Sequence, residues 1–196
     1  ITPNQPALDP TPTEPIALEL AMKHPAGDAV VYLARACQYV TTKNCSEKYW
    51  TVARYAPEII QNMNMVLDIL KTKAHAQHLN LVGYSGGGAV AVLLAAQRRD
   101  VTKIITVAAN LDLKYWTTRD HLSPLSQSLD SADVAQAIAT IPQIHFTGER
   151  DDVVGTDVAR SFVKHLPASA SVRVIEVPDF THTCCWIGGW TDLMSK

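Results

Sequence analysis

Ser85 lies in Gly83-Tyr84-Ser85-Gly86-Gly87, a G-x-S-x-G spacing. A serine hydroxyl is a poor nucleophile at neutral pH. It needs a histidine to take its proton and a carboxylate to orient that histidine. Downstream, Gly148-Glu149-Arg150-Asp151-Asp152-Val153-Val154 offers two carboxylates, and Asp179-Phe180-Thr181-His182 offers an imidazole. Together such groups would carry out acyl transfer through the serine oxygen. The duller alternative is a glycine-rich turn with an incidental serine, and aspartates that serve as loop caps or surface charges.

The elements around these residues favour the chemical reading. The apolar run Leu79 to Val82 reads as a buried strand, and Gly88 to Ala96 as a buried helix, so Ser85 falls on a strand-to-helix turn. Gly83 and Gly87 are expected to keep side chains out where strand and helix approach closely. Gln143 to Thr147 reads as a strand ending at Gly148, which places Asp151 and Asp152 just beyond its carboxyl end. Ser171 to Val177 alternates well and reads as the last strand, with His182 in the loop after it. In open α/β sheets, functional groups gather at the carboxyl ends of strands.

Elsewhere, residues 1–15 are proline-rich (Pro3, Pro6, Pro10, Pro12, Pro15) and lead into a helix reaching about Lys23, with Thr13 as its cap. Asp28 to Leu33 reads as a buried strand, followed by a loop carrying Arg35, Cys37 and Cys45. Pro57 opens the clearest helix: Ile59, Ile60, Met63, Val66, Leu67, Leu70 and Ala74 share one face. Arg98, Arg99 and Asp100 form an exposed turn, and Lys103 to Ala108 reads as another buried strand. Residues 110–140 read as an irregular, lid-like insertion or as plain surface packing, with a short helix from Ser131 to Ala139 capped by Asp130-Ser131. Helices are expected over Thr156 to Leu166 and Cys184 to Lys196. Strands alternate with helices, so the expectation is one α/β domain, 1–196, with a mostly parallel central sheet flanked by helices.

Composition narrows the class. Of 196 residues, 47% are hydrophobic and 18% charged, which is globular and not disordered. A net charge of −2 without a basic block argues against nucleic acid or an anionic membrane surface as partner. No apolar run is long enough to span a bilayer. Ile1 in place of a starting Met reads as a processed, cleaved or artificially trimmed chain; no signal peptide is visible, though one could have been removed.

Cys37 and Cys45 flank a short polar loop and can close a disulfide, which points to an exported protein, the alternative being two free thiols in a cytosolic one. Cys184 and Cys185 read as two buried thiols, with a vicinal disulfide as the alternative; zinc would need spaced ligands that are absent. His24, His75, His78 and His165 read as solvated and His145 as a satisfied core residue; His121, in the insertion, is placed to approach the site. Trp186 and Trp190 read as core or pocket wall. No metal and no cofactor is implied.

The order serine, acid, histidine, each after a strand, resembles the α/β-hydrolase superfamily over the C-terminal three-quarters of the chain. In that family the acid usually follows a glycine by three positions and precedes a hydrophobic pair; Gly148, Asp151 and Val153-Val154 match. The resemblance implies Ser85 as nucleophile, His182 as base, Asp151 as acid with Asp152 as its rival, and the Gly86 N–H as one oxyanion donor. It implies a carboxylesterase-like serine hydrolase acting on a small-molecule acyl substrate. The alternatives are a peptidase or thioesterase on the same triad, or a non-catalytic binding module that keeps the fold. The family's second oxyanion donor comes from the loop after its third strand, and no such loop is visible before Thr13. That strand would lie between 28–33 and the strand before Ser85, so the native protein is expected to be longer, with 1–196 its C-terminal portion and the missing strands supplied by a separate segment or a clipped companion that completes the sheet. Gln38-Tyr39 with Tyr49-Trp50, and His182-Thr183-Cys184-Cys185-Trp186, also resemble a group of exported bacterial α/β hydrolases, implying a periplasmic or secreted protein.

Overall fold

The structure, a computed structural model, describes residues 12–25, 27 and 29–196. Most of the proline-rich segment, and Asp28, lie outside the described residues. The chain runs α1 (Ile16–Met22), α2 (Pro57–Lys73), β1 (Leu79–Tyr84), α3 (Gly86–Ala95), β2 (Val101–Val107), α4 (Leu113–Arg119), β3 (Gln143–Gly148), α5 (Thr156–Val163), β4 (Val172–Val177) and α6 (Trp186–Met194), with 3₁₀ turns at Glu47–Trp50 and Ala132–Ile138.

The four strands form one sheet in the order β1-β2-β3-β4, parallel at every pairing. Each crossover carries helix, as parallel neighbours require. Two apolar layers cover the sheet. On one face Ile59, Ile60 and Leu67 of α2, the whole run Ala89–Ala95 of α3 and Phe162 of α5 pack together with Ile104. On the other, Ile16 and Leu20 of α1 and Trp186, Trp190 and Leu193 of α6 pack on Ile105, Val107, Phe146 and Val177. Adjacent Ile104 and Ile105 belong to opposite layers because side chains alternate along a strand. Trp186 and Trp190 are thus core residues.

Several sequence expectations need correcting. Residues 29–35 are not a strand, and Val30 and Val31 are 45% and 52% exposed. A strand is held by its partners, and among the described residues none runs beside this segment. For the same reason β1 is an edge strand and only half-buried, with Val82 exposed. Helix α1 starts at a Pro15 cap with no side-chain cap bond, so Thr13 does not cap it.

Arg98 is not on an exposed turn. Its side chain is nearly buried, gripped by Asp100 (2.8 Å) and Asp68 (2.8 Å) and bonded to the Asn64 side chain (2.7 Å), which clamps α2 to the turn after α3. Inside the supposed irregular stretch lies a helix, α4. Asp112 caps it by accepting from the Tyr115 N–H (2.9 Å). The segment expected as a helix over Ser131–Ala139 is a 3₁₀ turn. Ser131 holds its N-cap position without a side-chain bond, and Asp130 accepts from the Ala132 N–H.

Candidate active site

Ser85 occupies the junction of β1 and α3 with φ +49° and ψ −123°, a conformation that L side chains rarely adopt. The neighbouring glycines make the turn feasible, though not quite as spacing suggests. A Cβ on Gly83 would collide with the carbonyl of Gly87, and one on Gly88 with the Ala109 side chain. Gly87 itself faces open space, so the expectation that it relieves crowding does not hold; Gly88 has that part. The Ser85 N–H donates to the Val107 carbonyl (2.8 Å), which fixes the turn against β2.

The side chains proposed from sequence meet here. His182 Nε2 is 3.0 Å from Ser85 Oγ, and His182 Nδ1 is 3.0 Å from Asp151 Oδ2. With Nδ1 protonated toward Asp151, Nε2 is left to accept from the serine. The Asp151 side chain is essentially buried, and its other oxygen accepts from the N–H groups of Val153 and Val154, both at 2.9 Å. Burial pushes the Asp151 carboxyl upward, but the bonds from His182, Val154 and Val153 outweigh that and hold it below the usual carboxylate range. It therefore stays an anion that can orient an imidazole. Asp152, the rival, is exposed.

Two loops are tied together to make this possible. Arg150 N–H donates to the Phe180 carbonyl (2.9 Å), Glu149 accepts from the Asp179 N–H (3.0 Å), and Arg150 pairs with Asp179. The His182 carbonyl accepts from Tyr84 Oη and Trp186 Nε1, each at 3.0 Å, which limits rotation of the histidine backbone. From the other side, Trp116 Nε1 and Arg119 Nη1 of α4 donate to the carbonyls of Val153 and Val154, each at 2.8 Å. Helix α4 thus braces the acid loop.

Cys184 and Cys185 are bonded to each other and exposed, not buried thiols: their side chains leave a solvent-facing turn between His182 and α6. Cys37 and Cys45 are also bonded. His145 is buried but only half satisfied. Its Nδ1 meets Thr106 Oγ1 at 2.8 Å, while Nε2 has no partner. His121 is exposed, and the two hydrogen bonds that join the three central side chains do not involve it. Among the described residues no group of three or more His, Cys, Asp or Glu side chains converges as a metal site.

Two residues near Ser85 were not foreseen. Asn110, buried after β2, brings Oδ1 to 3.5 Å from Ser85 Oγ. Tyr55 lays its hydroxyl over Gly86. Neither lies in a motif; only the position of Asn110 just past a strand end hints at it.

The profile of the serine hydrolase family FSH1 matches residues 24–180, most of the chain. The chain belongs to the FSH1 serine hydrolase family. No curated protein matches the sequence. Among solved structures, the chain is similar to an α/β serine hydrolase homologue from Coxiella burnetii (17% identity, 71% of this chain and 56% of that one, TM-score 0.52). It is similar also to Est1E from Butyrivibrio proteoclasticus, solved with ferulic acid bound (16% identity, 70% and 66%, TM-score 0.55). A third is an esterase from Pyrococcus furiosus (16% identity, 76% and 62%, TM-score 0.58). At such identities the likeness establishes the fold, an α/β-hydrolase fold. The chain spans 56–66% of the length of these three neighbours.

Proposed function

We propose that this serine hydrolase cleaves an ester or related acyl bond of a small molecule through Ser85, His182 and Asp151. The observation that carries the reading is His182 bridging Ser85 and Asp151 at 3.0 Å on each side. Ser85 Oγ attacks the carbonyl carbon while His182 Nε2 takes its proton. Asp151 holds the imidazole in the required tautomer and stabilises the imidazolium that forms. The tetrahedral oxyanion faces the Gly86 N–H, the first of α3, which has no acceptor within the helix. Collapse expels the alcohol, which takes the proton from His182. Water then repeats the sequence on the acyl-enzyme.

The test is turnover of short p-nitrophenyl esters by the wild type and by Ser85→Ala. Turnover lost in the variant supports the reading; equal rates in both contradict it. Aminoacyl amides and acyl thioesters run alongside separate an esterase from a peptidase or thioesterase.

Export to the periplasm or the medium is part of the proposal, supported by the Cys37–Cys45 and Cys184–Cys185 bonds. Among the described residues no helix is long and apolar enough to cross a membrane. The open edge of β1, with Val82 exposed, supports a further strand from a separate segment completing the sheet.

A further inference from the structure

Acyl transfer of this kind is served by a pair of hydrogen-bond donors aimed at the developing oxyanion, and the Gly86 N–H is one. Tyr55 packs against Gly86. A Cβ built on Gly86 would meet the Tyr55 hydroxyl oxygen at 2.5 Å and its Cζ at 3.4 Å. The phenol tip therefore covers Gly86, and a side chain there would have to displace it.

Tyr55 is only 3% exposed, yet its hydroxyl makes no hydrogen bond to any described residue. The hydroxyl oxygen is not one of the buried side-chain atoms left without a partner, so the tip of this otherwise buried residue reaches solvent and is open to a ligand beside Gly86. It is also well anchored. The Tyr55 N–H donates to Ser128 Oγ (3.1 Å), the Tyr55 carbonyl accepts from Leu129 N–H (3.0 Å), and Ser128 Oγ donates to the Val52 carbonyl (2.9 Å). Burial pushes its pKa up, so the phenol keeps its proton at neutral pH, while the nearby cations Arg35 and Arg54 act in the opposite sense and strengthen it as a donor. Arg35 is fixed in turn by the carbonyls of Tyr49 and Arg54.

The geometry points to the Tyr55 hydroxyl as the second oxyanion donor, set beside the Gly86 N–H over the carbonyl oxygen of a bound ester. As the Ser85 oxygen bonds to the carbonyl carbon, the π pair moves onto that oxygen. Tyr55 donates a hydrogen bond to it without giving up its proton, which stays on the phenol when the carbonyl re-forms and the alcohol leaves with the proton from His182.

This rests on Ser85 being the nucleophile, and the test separates the two claims. Wild type, Tyr55→Phe and Gly86→Ala are compared for kcat and KM on p-nitrophenyl butyrate, inhibition by a trifluoromethyl ketone, and thermal melting. Tyr55→Phe should lower kcat by about 10²–10³-fold with KM within about twofold, and weaken the ketone, which binds as an oxyanion, by a similar factor. Gly86→Ala keeps its N–H but pushes the phenol aside, and should show the same split. If Tyr55→Phe melts early, the Gly86→Ala result decides. Ester turnover by the wild type with near-equal kcat in Tyr55→Phe or, where that variant unfolds, in Gly86→Ala overturns the tyrosine's role alone. A wild type that neither turns over esters nor depends on Ser85 overturns the parent reading, and this one with it.

Discussion

Gly148, the last residue of β3, lies directly against the carbonyl of Phe180, so close that a Cβ would collide with it. That contact brings the acid loop and the histidine loop together, and Asp151 and His182 are its two ends. Gly148→Ala must push the loops apart. The expected cost is about 1–3 kcal/mol of stability from overpacking. The expected loss of kcat is at least about tenfold, since small misplacements of reacting groups are costly. Urea denaturation and ester kinetics on one preparation measure both.

The two neighbouring aspartates should behave in opposite ways. Asp151 touches His182 and two backbone N–H groups; Asp152 faces solvent. Asp151→Asn should cut kcat by about 10⁴-fold through loss of the working tautomer. Asp152→Asn should stay within about twofold, because an exposed carboxylate away from the site contributes little to either stability or orientation. A crippled Asp152→Asn would reverse the assignment.

Acid should weaken the fold through His145. Burial holds this imidazole neutral and pushes its pKa down from 6.5 to about 3. The unfolded chain protonates at the ordinary value, so the stability associated with the neutral ring is fully present above pH 6.5. It is lost as pH falls from 6.5 toward 3, at roughly 1.4 kcal/mol per pH unit at most. His145→Gln removes the titration, and its acid-unfolding curve should be flatter across that interval. Curves of equal slope would contradict this.

Closing the Cys37–Cys45 loop restricts the unfolded chain. Replacing both cysteines with serine should lower the unfolding free energy by roughly 2–3 kcal/mol, as chain entropy gives for so short a loop. Because Trp50 Nε1 donates to the Cys37 carbonyl (2.9 Å), part of the effect should appear as local loosening before the 3₁₀ turn, visible in hydrogen exchange.

Three residues that the structure brings together, Ser85, Asp151 and His182, could be proposed because each stands at a strand end and follows the family's order, and the placement of Gly148 and Val153-Val154 already put Asp151 ahead of Asp152. Helix α4 escaped because Leu113–Arg119 has no apolar period; it is held by the Asp112 cap and by Trp116 and Arg119 reaching the acid loop. The run after Asp28 looked like a strand because apolar residues report burial, whereas a strand also needs a partner. Tyr55 could not be foreseen, since its contact with Gly86 is made only when the loop before α2 folds over the turn at Ser85.

The most direct measurement is labelling by a fluorophosphonate followed by peptide mapping. Stoichiometric phosphonylation at Ser85, lost in Ser85→Ala and strongly slowed in His182→Ala, is the expected result. A protein that stays unlabelled, or one that labels elsewhere and equally well in both variants, would contradict the claim that His182 and Asp151 make this serine reactive.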